Sequence, residues 1–131
     1  MSGIIEKFKN KPLREAELEY EGVKFRLREL RDASQLADLM QQISMLPPVA
    51  KVRFGDEEVS ISQRLATAIK TVKACLVEPE LTEQELLELS RHTGMLIFKL
   101  EAKALELLGF LSLETLEDFF AQQRKGSGGE A

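Results

Sequence analysis

The chain has almost none of the residues from which metal centres and nucleophilic active sites are assembled. Cys75 is its single cysteine and His92 its single histidine among 131 residues. One thiol forms no intrachain disulfide, and one thiol with one imidazole does not make a zinc cluster. A Ser-His or Cys-His dyad would rest wholly on His92, which stands in a Ser-Arg-His-Thr-Gly break between two apolar-periodic segments. A solvated or locally hydrogen-bonded imidazole is the expectation there, because catalysis needs partners within reach. Long apolar runs are missing too. No stretch approaches the ~18 apolar residues of a membrane span, and MSGIIEKFKNK at the start is too polar for a signal-peptide core. These absences lead us to expect a soluble protein of a reducing cytosol, with no membrane partner.

A basic excess is also lacking. Eighteen Lys and Arg stand against twenty-two Asp and Glu, a net charge of -4. Non-specific nucleic-acid affinity comes mainly from cationic contacts to phosphate, so this balance speaks against a nucleic-acid partner. The local stripe Lys7, Lys9, Lys11, Arg14 reads as a solvated arm. The carboxylates from Glu78 to Glu88 lack the Asp-x-Asp-x-Asp-Gly spacing of a calcium loop, and glutamates in a first helical turn are favoured by the macrodipole alone. Gly126-Ser-Gly-Gly is no phosphate loop, since neither a preceding strand nor a following Gly-Lys-Ser/Thr accompanies it. No catalytic, cofactor-binding or metal-binding residue is assigned, and a non-enzymatic role is expected.

What is present is ordinary core material: 44% hydrophobic and 31% charged residues, in a length that suits one domain. Residues 17–28 alternate apolar and charged on both sides of Glu21-Gly22, the period-2 pattern of a half-buried hairpin. Leu18, Tyr20, Val23, Phe25 and Leu27 would share its inner face, which needs a helix to cover it. Asp32 reads as an N-cap for a helix bearing Leu36, Leu39, Met40 and Ile43, stopped by Pro47-Pro48. Residues 51–61 admit two readings, a loop running into a helix or a second short hairpin about Gly55-Asp56, and the loop is the favoured one.

From Ser62 the pattern is helical, with Leu65, Ala66, Ile69, Val72, Cys75 and Leu76 on one face until Pro79. Thr82-Glu-Gln-Glu85 is a capping box, His92-Thr93-Gly94 a break, and Met95 to Leu108 a long helix closed by Gly109 in the C′ position. A last helix would run through Leu116, Phe119 and Phe120. The expected class is mainly α (α+β), an N-terminal β-hairpin followed by a compact bundle of about five helices. Its parts are an N-terminal arm over residues 1–16, a single domain over 17–124 and a flexible tail over 125–131.

The helices from Met95 onward are apolar around more than one side. Either they lie at the centre of the bundle, the favoured reading, or one side meets a partner or a second copy. Phe119-Phe120 sharpens the question, because adjacent helical residues point about 100° apart and both cannot occupy one narrow seam. Met95, Phe98, Phe110, Phe119 and Phe120 are therefore the candidate partner contacts.

The block from Ala68 to Gly109 resembles the tail assembly chaperones of long-tailed bacteriophages. The resemblance rests on the helix ending in Val72-Lys-Ala-Cys75-Leu-Val-Glu-Pro79, the following Glu80-Leu-Thr-Glu-Gln-Glu85 cap, and the closing Lys103-Ala-Leu-Glu-Leu-Leu-Gly109. It covers about a third of the chain and is made of caps, a proline and leucines. It implies a late, non-structural protein of the host cytoplasm, absent from the mature virion. Such a protein binds the tape measure protein, helps recruit tail tube subunits, and is often made also in a frameshifted longer form. The resemblance carries over no catalytic residue. The alternative is a small helical adaptor or dimeric regulatory protein with no phage role. As a DNA reader it would have only Arg64, Lys70 and Lys73 on the central helix.

Overall fold

The computed structural model describes residues 2–54 and 56–109. In chain order, the first half contains α1 (Ser2–Lys9), β1 (Glu15–Tyr20), β2 (Val23–Arg28), α2 (Ala33–Ser44), β3 (Val49–Phe54) and β4 (Glu57–Ser62). The second half contains α3 (Gln63–Cys75), β5 (Leu76–Glu78), α4 (Glu83–His92) and α5 (Gly94–Leu108). The class is α+β, with the N-terminal hairpin in place and helices after it. One helix, α1, precedes the hairpin.

The hairpin follows the alternation. β1 and β2 pair antiparallel with Ala16 opposite Leu27, Leu18 opposite Phe25 and Tyr20 opposite Val23, which gathers the apolar residues on one face. Glu21 at φ 47° and Gly22 at φ 83° form its two-residue turn. Two consecutive left-handed residues are the requirement of a type I′ turn, whose twist suits the flanking strands. The hairpin does not stand alone: β5 adds antiparallel to β2, giving a three-stranded sheet in the order β1-β2-β5. Three residues carry no readable periodicity, so this strand was not expected.

Residues 51–61 correct the favoured expectation of a loop. They form most of a second hairpin, β3 with β4, in the register Ala50 opposite Ile61 and Val52 opposite Val59. Ala50 and Ile61 are buried against α3, and that packing decides between the two readings. The N-terminal arm also differs from expectation. Residues 2–9 are helical, and Glu15 and Ala16 already belong to β1.

Caps start the helices at Asp32 and Thr82 as the sequence predicts, but α3 ends at Cys75, short of the expected stop at Pro79, because Leu76–Glu78 pair with β2. Asp32 accepts from the Ser34 amide, Ser62 from the Leu65 amide, and Thr82 with Glu85 makes a complete capping box. Gly109 ends α5 at φ 92°, a left-handed C-cap. The Glu78–Pro79 peptide is cis. The core lies between α3 and α5, where Val72, Ile97, Leu100 and Ala104 are fully enclosed, with Leu27 below and Leu86 and Leu87 of α4 beside them. Helix α5 packs on α3, α4, β1 and β2, so it is the central helix of the described chain. A smaller cluster of Leu39, Ile43 and Leu105 seats α2. Each such buried side chain contributes roughly 1.5–3 kcal/mol of transfer free energy.

Candidate functional site

Where the turn end of the hairpin meets α4, the sheet and the helix fail to close on one another and leave an apolar cleft of about 540 Å³. Phe25 and Leu96, both buried, form its floor. Tyr20 and Val23 come from the hairpin, and Pro79, Leu81 and Leu89 from α4 and the segment before it. Val23, 50% exposed, is the apolar residue of the hairpin face that the core leaves uncovered. The Lys99 ammonium lies over the Tyr20 ring, 5.4 Å from its centroid.

The rim is acidic. Glu21, Glu85 and Glu88 surround the opening together with His92. Glu85 accepts from the Thr82 amide at 2.9 Å and belongs to the helix cap. Glu21 and Glu88 are exposed, and neither is ion-paired among the described residues. An apolar trough with a carboxylate rim is chemically complementary to an apolar face flanked by cations. The Thr93 hydroxyl, which also lines the cleft, donates to the Leu89 carbonyl at 3.1 Å. Among the described residues there is no group of three His, Cys, Asp or Glu that could hold a metal ion.

The remaining titratable features lie away from the cleft. Burial pushes the Cys75 thiol up to about 12, so it is a protonated, unreactive core residue. At the far end of the hairpin, Arg14 donates through Nε to Glu29 at 2.8 Å and through Nη2 to the Leu107 carbonyl at 2.7 Å. Chiefly through that side-chain hydrogen bond, Arg14 holds the Glu29 carboxyl below the usual carboxylate range. Arg31 donates to the Lys11 carbonyl nearby, so the N-terminal arm is tied at this end.

The candidate partner contacts separate in the structure. Met95, 63% exposed, stands one residue before Leu96 of the cleft floor. Phe98 is half-buried on the core, with the Arg64 guanidinium 4.5 Å from its ring centroid. Phe110, Phe119 and Phe120 lie outside the described residues, as do the expected last helix and the tail. His92 is exposed, on the rim. The basic residues of α3 are each engaged within the chain. Arg64 pairs with Glu101 at 2.8 Å, Lys70 pairs with Glu83 at 2.8 Å, and Lys73 donates to the Leu81 carbonyl at 2.8 Å.

Sequence reasoning missed the cleft itself. Its residues come from positions 20–25, 79–93 and 96, and only tertiary packing brings them together. One signal pointed there: Val23 completes the apolar alternation of a strand at its exposed end, next to the turn.

In class, then, the described chain is an α+β protein with an apolar, acid-rimmed cleft between a β-hairpin and a helix. No family model matches it, and comparison with curated proteins and with solved structures gives no match either. Among the described residues no helix is long and apolar enough to cross a membrane.

Proposed function

We propose that this chain is a bacteriophage tail assembly chaperone, a non-enzymatic protein that holds the tape measure protein and helps bring tail tube subunits to it. The observation that carries the reading is the cleft at Tyr20, Val23, Leu89 and Leu96. An apolar helix of a long client would lay one face on these residues, anchored at i, i+3 and i+4 spacings, while the acidic rim keeps the complex hydrated. The resemblance of Ala68 to Gly109 to the chaperone family supplies the client. Met95 extends the apolar surface beside the cleft floor, and a thioether adapts to varied partners. Such a protein acts in the host cytoplasm and is left out of the mature virion.

The test is coexpression of the full chain with an apolar helical fragment of the tape measure protein encoded near its gene. The fragment should stay in the soluble fraction with the wild type and precipitate with Val23→Glu. Equal precipitation with both, or a gene neighbourhood without tail genes, removes the reading.

A further inference from the structure

Helix α1 carries Ile4, Ile5 and Phe8 at the i, i+1, i+4 spacing of a single face, and these are 63%, 66% and 56% exposed. Three large apolar side chains left in water on eight residues are an unburied face. The same segment is cationic, with Lys7 and Lys9 in its last turn, Lys11 just beyond and Glu6 as its one acid. Apolar face and flanking cations are what the cleft requires: an apolar trough with Glu21 and Glu88 exposed on the rim.

We propose that α1 of a second copy of this chain docks in the cleft, with Ile4, Ile5 and Phe8 on Tyr20, Val23 and Leu89 and its lysines toward Glu21 and Glu88. The helix does not reach its own cleft. Lys11 and Arg14 are held at the open end of the hairpin by Arg31, Glu29 and the Leu107 carbonyl. The cleft lies at the turn end, six strand residues away, about 20 Å. An eight-residue helix is only about 12 Å long, so its apolar residues stop short while the arm stays tied. A second copy has no such limit. Each copy offers one α1 and one cleft, two different surfaces, so exchange of arms closes a dimer and unreciprocated docking extends a chain.

This inference shares the cleft with the client reading without resting on it, because its test contains no client. Sedimentation velocity of the full chain over a dilution series should show association of the wild type, weakening as salt is raised. Phe8→Glu and Val23→Glu should each weaken association at least about tenfold. Mixing the two variants should restore a one-to-one complex, since one brings an intact cleft and the other an intact α1. Ile5→Lys and Glu88→Lys, at exposed positions, repeat the test should either first variant lose its thermal transition. Three results overturn the proposal: a wild type that stays monomeric, association that survives the variants, or a mixture that fails to pair. A monomeric wild type that sediments with anionic phospholipid vesicles through Phe8 would give α1 to a lipid surface and overturn it equally. Failure here leaves client binding standing, and failure to bind a client leaves self-docking standing.

Discussion

The Arg64 guanidinium bridges Glu101 and Phe98: it donates to both carboxylate oxygens of Glu101, at 2.8 and 3.2 Å, and stacks 4.5 Å from the Phe98 ring centroid. Glu101 is a charged residue on the central helix with a side chain only 3% exposed, and the Arg64 pair is part of what lets α5 carry it. Removing the arginine takes away part of the compensation of a buried charge, whereas removing both partners leaves no charge to compensate. Arg64→Ala should therefore lower stability by about 2 kcal/mol, discounted from a fully buried pair because the arginine side is partly solvated. Arg64→Met with Glu101→Leu should recover most of that loss. Chemical denaturation of the two single variants and the double variant measures the coupling.

Acid should loosen the tie at the open end of the hairpin. The Glu29 carboxyl is held below its ordinary value by Arg14, so the folded state binds its proton less readily than the unfolded chain. Stability from this pair is present above the unfolded pKa and is lost as pH falls through the lower folded one. The wild type should lose stability below about pH 5 with a steeper slope than Glu29→Gln. Identical slopes in thermal melts across that range would remove this role for the pair.

Cys75 should be silent to thiol reagents in the native state. Its thiol is buried and pushed up to about 12, which leaves almost no thiolate at neutral pH. Labelling should appear only as denaturant unfolds the chain, with the midpoint of the unfolding transition. Rapid labelling of the native protein would place Cys75 outside the core.

The turn that shapes one wall of the cleft is strained at one position. Glu21 sits at φ 47°, a left-handed conformation that a side-chained residue adopts at a cost of roughly 1–2 kcal/mol and that asparagine tolerates better. Glu21→Asn should raise the melting temperature, and Gly22→Ala, at φ 83°, should lower stability by about 1 kcal/mol. Thr82→Ala, which opens the capping box of α4, should cost about 1 kcal/mol as well.

The parts of this fold that local chemistry determines were legible in the sequence. Asp32, Ser62 and Thr82 start helices because their side-chain oxygens satisfy free amides, and Gly109 stops one because it takes the left-handed cap. The alternation from Leu18 to Leu27 read correctly because one face of that hairpin is buried. Elements that depend on tertiary support were not legible. Leu76–Glu78 is a strand only because β2 offers it an edge, and β3–β4 is a hairpin because Ala50 and Ile61 find α3. Helix α1 read as a solvated arm because it has no acidic residue in its first turn and little apolar content beyond Ile4, Ile5 and Phe8. The cleft is the extreme case, since each lining residue looks like ordinary core until the hairpin and α4 are placed side by side.

The client reading meets its most direct test in a binding titration of the labelled tape measure fragment against the wild type, Val23→Glu and Phe8→Glu. Binding to the wild type, weakened at least about tenfold by Val23→Glu and unchanged or strengthened by Phe8→Glu, is the predicted result, because the client needs the cleft and not α1. A fragment that binds none of the three, or binds Val23→Glu as tightly as the wild type, contradicts the proposal that this cleft holds the client.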